Sequence, residues 1–232
     1  MAVVHLDGVV APETGSELAL DVVRLPPGDS LRVESGASDE LWFVFEGDGK
    51  LDAEPLAPGS AALVSAGSTA LVVANSGGLA AVHATVGPDV DRHAPMGQPE
   101  RVVSVKHVEP GKATGSRSFQ VLFGPHNGST RATMFVGYVP PGRAPWHYHL
   151  YDEIVWIWKG PGRYHVGDAV EELADGSAFR ISPREVHIVE NTNTDSELAL
   201  LGIFTPAGTP SAAYLMPDGA RSYGPSYAIG PV

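Results

Sequence analysis

Three histidines and a glutamate form the set in this chain best able to do chemistry: His147, His149 and Glu153 in the stretch 140–153, and His187 in the stretch 181–191. Side chains alternate along a β-strand, so an H-x-H pair sends both imidazoles to one face, and an acid four residues on returns to that face after a turn. Three neutral imidazoles and a carboxylate are donors suited to one divalent transition metal per chain: Fe, Mn, Ni, Cu or Zn. Four protein ligands leave an octahedral ion two positions, enough for a bidentate substrate or for one substrate atom plus dioxygen or water. A redox ion would then support oxidation of an enol, diketone or catechol. A Lewis acid would support isomerisation, decarboxylation or hydrolysis of a sugar acid or amide.

The elements that must carry these residues occur twice. Pro26-Pro27-Gly28 followed by Asp39-Glu40-Leu41-Trp42-Phe43 is echoed by Pro140-Pro141-Gly142 followed by Asp152-Glu153-Ile154-Val155-Trp156. Leu56-Ala57-Pro58-Gly59-Ser60-Ala61 is echoed by Leu173-Ala174-Asp175-Gly176-Ser177-Ala178. Such self-similarity marks two copies of one structural unit. In the first copy His147 and His149 correspond to Glu34 and Gly36, or to Val33 and Ser35 if the one-residue gap falls later, and His187 corresponds to Ala70. Glu40 alone of the four donors has a counterpart there, and it is expected to be a hydrogen-bonded or solvated acid. The reading is a metal-free unit over 1–88, a connector over 89–114 and a metal-binding unit with an extended tail over 115–232.

Short apolar segments of strand length recur between Gly- and Pro-rich turns, as in Leu18–Leu25, Leu41–Phe45, Glu153–Trp158 and Leu198–Phe204, so an all-β fold is expected. Repeated antiparallel strands remove their edges by closing into barrels or jelly rolls. Arg101–Val108 alternates well enough for a further strand. A net charge of -12 argues against nucleic acid or an anionic membrane as partner and leaves a small molecule. With no cysteine there is no disulfide framework, thiolate nucleophile or Cys-ligated cluster. The first residues lack the pattern of a secretory signal, and no run approaches the ~20 apolar residues of a membrane helix, so a cytoplasmic protein is expected.

At this point the second half resembles a cupin domain. Gly142, His147, His149, Glu153 and Gly160 stand in the order of the first cupin motif, and Gly176, Pro183, His187 and Asn191 in the order of the second. The Gly142 to His147 spacing is one residue short, and Arg184 and Glu185 replace the common Gly-containing turn; both departures touch loops and not ligands. The first half resembles a degenerate cupin, so over roughly residues 15–205 the chain is similar to a bicupin. The resemblance implies two tandem cupin-type jelly-roll β-barrels, with the metal inside one and substrate entering at its mouth. It implies no single reaction, since cupins include oxygenases, isomerases, decarboxylases, hydrolases and non-enzymatic binding proteins. The expected function is a metal-dependent, dioxygenase-like enzyme. The alternatives are a non-redox isomerase, decarboxylase or hydrolase, and a non-enzymatic small-molecule-binding protein.

Among other residues, Glu153 is expected to act in catalysis beside its ligand role, with His165 as acid or base and Arg180 as a cavity group. Arg131 and Arg180 are candidates for gripping a substrate carboxylate, and Phe135, Val155, Ile157 and Phe179 for an apolar cavity wall. Tyr148 should point away from the metal. Trp156 and Trp158, of opposite parity to Glu153, should pack against the other half or a second subunit, as should Phe43 and Phe45, and a homodimer is admitted.

Overall fold

The computed structural model describes residues 3–5, 16–113 and 116–216. It is all-β apart from two short 3-10 turns. The first half comprises an arm strand β1 (Val4–His5), then β2 (Leu18–Leu25), β3 (Ser30–Glu34), β4 (Asp39–Leu51), β5 (Glu54–Leu56), β6 (Ser60–Val64) and β7 (Thr69–Val86). The link carries β8 (Val102–Ser104) and β9 (Gly111–Lys112). The second half runs through β10 (Ser118–Phe123), β11 (Thr133–Val139), β12 (Gly142–Arg143), β13 (His147–Tyr148), β14 (Asp152–Lys159), β15 (Gly162–Val166) and β16 (Ala169–Leu173). It closes with β17 (Ser177–Ile181), β18 (His187–Asn191), β19 (Leu198–Thr205) and β20 (Tyr214–Leu215).

In the second half two antiparallel sheets form a jelly roll: β1-β17-β14-β19-β11-β10-β9, and β16-β15-β18-β13-β20 with β12 on β18. The first half is one sheet, β2-β7-β4-β6-β8, with β3 on β7 and β5 on β4. The length of β7 lets it bend between two partners: Leu79–Val86 pairs with β2, and Thr69–Val73 with β3. The arm β1 lies not on its own half but on β17, where Val4 faces Ala178.

The central strands read as nearly continuous apolar runs because each has a core on both sides. On β14, Val155 and Ile157 enter the core inside the second half, while Ile154 and Trp156 enter a core shared with the first. On β4, Trp42 and Val44 point into the first half, and Leu41 and Phe43 into the shared core. The outward aromatics therefore pack between the halves, as expected. Phe43 meets Trp158 edge-on with ring centres 5.0 Å apart, and Phe45 lies 5.0 Å from Trp156.

Polar bolts lock the same interface in a pseudo-symmetric way. Asp39 at the start of β4 meets Arg131, just before β11, at 3.3 Å, and the same guanidinium donates to Ala37 O at 2.8 Å. Asp152 at the start of β14 accepts from Ser16, just before β2, at 2.5 Å. Arg180 joins this second bolt, donating to Asp152, to Ser16 Oγ and to Leu18 O.

One expectation changes, and one holds over its described part. The strand expected over Arg101–Val108 ends at Ser104, whose side chain accepts from Lys106 N and starts a 3-10 turn; its partner is β6 of the first half. Of the tail expected to be extended, residues 206–216 return over the second half, Tyr214 and Leu215 pairing with Tyr148 and His147, whereas 217–232 lie outside the described residues.

Candidate metal centre

The sheet register brings the four sequence-selected donors together. On β13, His147 stands directly opposite His187 of β18, and their ring centres are 4.4 Å apart. His149 follows where the chain leaves β13, its ring 5.1 Å from His187. From the neighbouring sheet Glu153 brings Oε2 to 3.0 Å from His149 Nε2. All four are buried, and all four line one cavity of about 270 Å³.

Each imidazole is oriented by a backbone carbonyl two residues away: Pro145 O for His147 (2.8 Å), Tyr151 O for His149 (2.9 Å) and Glu185 O for His187 (2.9 Å). A carbonyl only accepts, so each Nδ1 carries the hydrogen and each Nε2 keeps its lone pair for another partner. Burial, with the charges of Arg117 and His149 adding to it against the hydrogen bond to Pro145, lowers the pKa of His147 to about 4. Burial, then the neighbouring His147 and His149, pushes His187 well below the ordinary range. Both rings are neutral at pH 7, the form that ligates metal. His149 Nε2, though near Glu153, is buried without a hydrogen bond. Among the described residues no three such side chains are already closed into a metal-holding arrangement. The fit to a metal lies in the donor chemistry and in the orphaned Nε2, which wants an electrophile.

Gly202 makes room for Glu153. A Cβ there would lie 2.3 Å from the Phe135 ring and 2.6 Å from Glu153 Oε1. In the first half the matching place is filled: His83 faces Trp42 across β4 and β7 as Gly202 faces Val155 across β14 and β19. The register likewise sets Val33 opposite Ala70 where the second half sets His147 opposite His187, which places the gap in the repeat so that Val33 and Ser35 are the counterparts. Gly202→Ala is expected to displace the Glu153 carboxylate and weaken metal binding about 10- to 100-fold, as loss of ligand support does, measured by competition with a chelator.

His83, given no role on sequence, bridges two acids: Nδ1 lies 2.8 Å from Asp21 Oδ1, and Nε2 contacts Glu40 Oε2. Burial alone would lower its pKa, but the hydrogen bonds and charges of these two carboxylates raise it to about 9. Since the folded value lies above the ordinary 6.5, the stabilisation is complete below pH 6.5 and is lost as pH rises through about 9. The melting temperature of the wild type should therefore fall between pH 7 and 10 more steeply than that of His83→Gln, by the equivalent of about 1–3 kcal/mol.

Parity sends several expected cavity residues elsewhere. On β15, Tyr164 and Val166 join the inner core, so His165 faces out, its Nε2 2.7 Å from Glu190 Oε2. On β17, Phe179 and Ile181 face in, so Arg180 faces the other half, as does Arg131 before β11. None of these three lines the cavity. Phe135 and Val155 do line it, whereas Ile157 and Phe179 are buried in the core behind it. Tyr148 stacks on Tyr214 with ring centres 5.0 Å apart. Sequence reasoning missed Tyr151, stacked between His149 (4.0 Å) and Phe204 (3.9 Å), and the cations Lys112 and Arg117 at the cavity wall. Tyr151 sat within the motif and could have been flagged; Lys112 ends the two-residue β9 and Arg117 precedes β10, places too short to show a period.

Residues 134–204, a span containing all four donors, match the model of the Cupin domain. No curated protein sequence is similar enough to count as a match. Among solved structures, a variant of Bacillus subtilis oxalate decarboxylase OxdC is 14% identical with a TM-score of 0.70, covering 88% of this chain and 72% of its own. Lactobacillus farciminis oxalate decarboxylase with formate is 12% identical, TM-score 0.69, covering 87% and 80%. AerE from Microcystis aeruginosa is 12% identical, TM-score 0.67, covering 82% and 88%. The B. subtilis enzyme is described as having Mn(II) centres. At these identities the likeness establishes the jelly-roll fold and leaves the chemistry to the site.

Proposed function

We propose that this chain is a tandem of two cupin-like units, the second of which binds one divalent transition metal through His147, His149, Glu153 and His187 and acts as an enzyme on a small organic molecule. The observation that carries the reading is the set of three imidazoles, each with Nδ1 occupied by a carbonyl, gathered beside a carboxylate at a cavity. That arrangement costs burial of four polar side chains, which a bound cation would offset. The bound metal would supply Lewis acidity and, if Fe, Mn, Ni or Cu, redox chemistry at the cavity.

The protein's own contribution follows from the lining. Among the described residues Glu153 is the one carboxylate lining the cavity, so its Oε atoms are where a substrate proton can be held. Phe119, Phe135, Val155, Val189 and Leu200 form an apolar wall that excludes water and orients the body of a substrate. An apolar wall favours dioxygenase-like oxidation of an enol, diketone or catechol. Lys112 and Arg117 favour a second reading, non-redox decarboxylation or isomerisation of an acid; decarboxylation of an acid, oxalate, is what the names of two solved structures of the same fold state.

Elemental analysis of protein purified without chelator, followed by turnover assays in an oxygen electrode, tests both readings. About one equivalent of metal per chain is expected. Oxygen uptake with enols, diketones or catechols would select oxidation; product without oxygen uptake would select the second reading. Absence of metal even after reconstitution with Fe, Mn, Ni, Cu and Zn would sink the metal reading altogether.

A further inference from the structure

We infer that Tyr151 sets the ligand preference of the cavity by presenting its phenol O–H as a fixed hydrogen-bond donor to an oxygen atom of a ligand seated beside the imidazoles. The inference rests on the reading of this cavity as the ligand site of a metal centre. Tyr151 is fixed by three contacts. Its ring stacks on the imidazole of His149, with centres 4.0 Å and planes 9° apart, and on Phe204, with centres 3.9 Å and planes 20° apart. Its carbonyl accepts from Nδ1 of the same His149 at 2.9 Å. Phe204 is itself fully buried and stands opposite Glu153 where β14 pairs with β19, so the stack is anchored in the sheet that carries the carboxylate. A tyrosine has only two side-chain torsions to fix, and packing that fixes them beforehand lowers the entropy lost when a ligand binds.

The phenol is the part of this side chain that packing leaves over. Tyr151 lines the cavity together with the three imidazoles and Glu153, and among the described residues its Oη makes no hydrogen bond. The other tyrosine at the wall, Tyr138, already donates to Gln120 Oε1 at 2.6 Å. At neutral pH a phenol is protonated and donates. The wall around it is apolar, with Phe135, Val155, Val189 and Leu200. A ligand that displaces water from this donor without supplying an acceptor leaves it unpaired, at a cost of about 1–3 kcal/mol. A site built around such a donor therefore selects ligands that carry the matching acceptor and rejects those that lack it. The class selected is an oxygen-donor compound, with an enolate, catecholate or carbonyl oxygen toward the imidazoles and a small apolar body.

Absorbance titration of the cobalt(II)-loaded protein with 4-nitrocatechol, which ligates through oxygen, and with pyridine, which ligates through nitrogen and has no acceptor to spare, tests this. Tyr151→Phe keeps the ring stack and the backbone carbonyl, so it should hold about one equivalent of cobalt, with the wild-type spectrum before ligand is added. It should bind 4-nitrocatechol about tenfold or more weakly than the wild type, the size of one hydrogen bond to a charged oxygen, and bind pyridine equally well. Unchanged binding of 4-nitrocatechol by Tyr151→Phe would overturn the inference. Equal weakening of both ligands would also overturn it, since that is the mark of a distorted centre and not of a lost donor. A wild type that takes up cobalt yet binds neither ligand would overturn it while leaving the metal reading in place. Failure of the wild type to take up cobalt is a separate result, which removes the metal reading and this inference with it.

Discussion

His187→Ala is expected to purify folded and without stoichiometric metal. His187 sits on β18 opposite His147, 3% exposed, and its Nε2 is one of three lone pairs gathered at the cavity. Loss of a residue that merely supports a ligand weakens metal binding by about 10- to 100-fold; loss of a ligand itself should exceed the upper end of that range. The fold should survive because the inner core is built from apolar side chains such as Phe135, Phe179 and Phe204 that this substitution leaves in place. His165→Ala is the control. It removes a buried histidine of the same half that faces Glu190 and not the cavity, and it should retain about one equivalent of metal. Elemental analysis beside near-UV circular dichroism reads both variants. Full metal in His187→Ala would refute the four-ligand set.

Arg180→Ala is expected to lose about 3–5 kcal/mol of stability, the usual result of removing one partner from a buried ion pair. Its guanidinium is the meeting point of both halves, donating at 2.7 Å to Ser16 Oγ and at 2.5 Å to both Asp152 Oδ2 and Leu18 O. The truncation leaves the Asp152 carboxylate and the Leu18 carbonyl short of a donor in a place water reaches poorly. For a protein of this size the loss corresponds to a fall of roughly 6–20 °C in melting temperature. Replacing both charges, as in Arg180→Met with Asp152→Leu, should recover most of it, because a well-packed apolar pair avoids the desolvation that the ion pair carries. Had Arg180 been a cavity group, as its residue type and position suggested, turnover would fall with no change in melting temperature. Thermal denaturation of the single and double variants decides between these outcomes.

The donor set and the outward tryptophans were legible because each question stayed within one strand or one motif. The H-x-H spacing kept His147 and His149 within one short segment, although the strand ends at Tyr148, and Trp156 takes the parity opposite to Glu153 on the same strand, so little long-range information was needed. Double-sided burial of β4 and β14 was written in their unbroken apolar runs, which only strands with a core on each face carry. The residues that needed a comparison between strands were not legible. Whether His165 or Tyr164 faces the cavity depends on how β15 registers against β18, and a one-residue slip would exchange them. The same holds for Arg180 on β17 and for the choice between Val33 and Glu34 as the counterpart of His147. His83 and Gly202 occupy matching places on β7 and β19, yet the bend that makes β7 a single long strand hides the correspondence in sequence. Arg117 lies just ahead of β10, where no period operates, and only closure of the barrel brings its charge to the histidines. The sequence by itself determined which atoms could bind a metal and which faces would be apolar, since both follow from residue type and local alternation. The tertiary structure alone decided which polar groups share the cavity with them, because the phase of each strand is set by its hydrogen-bonded neighbours and not by its own residues.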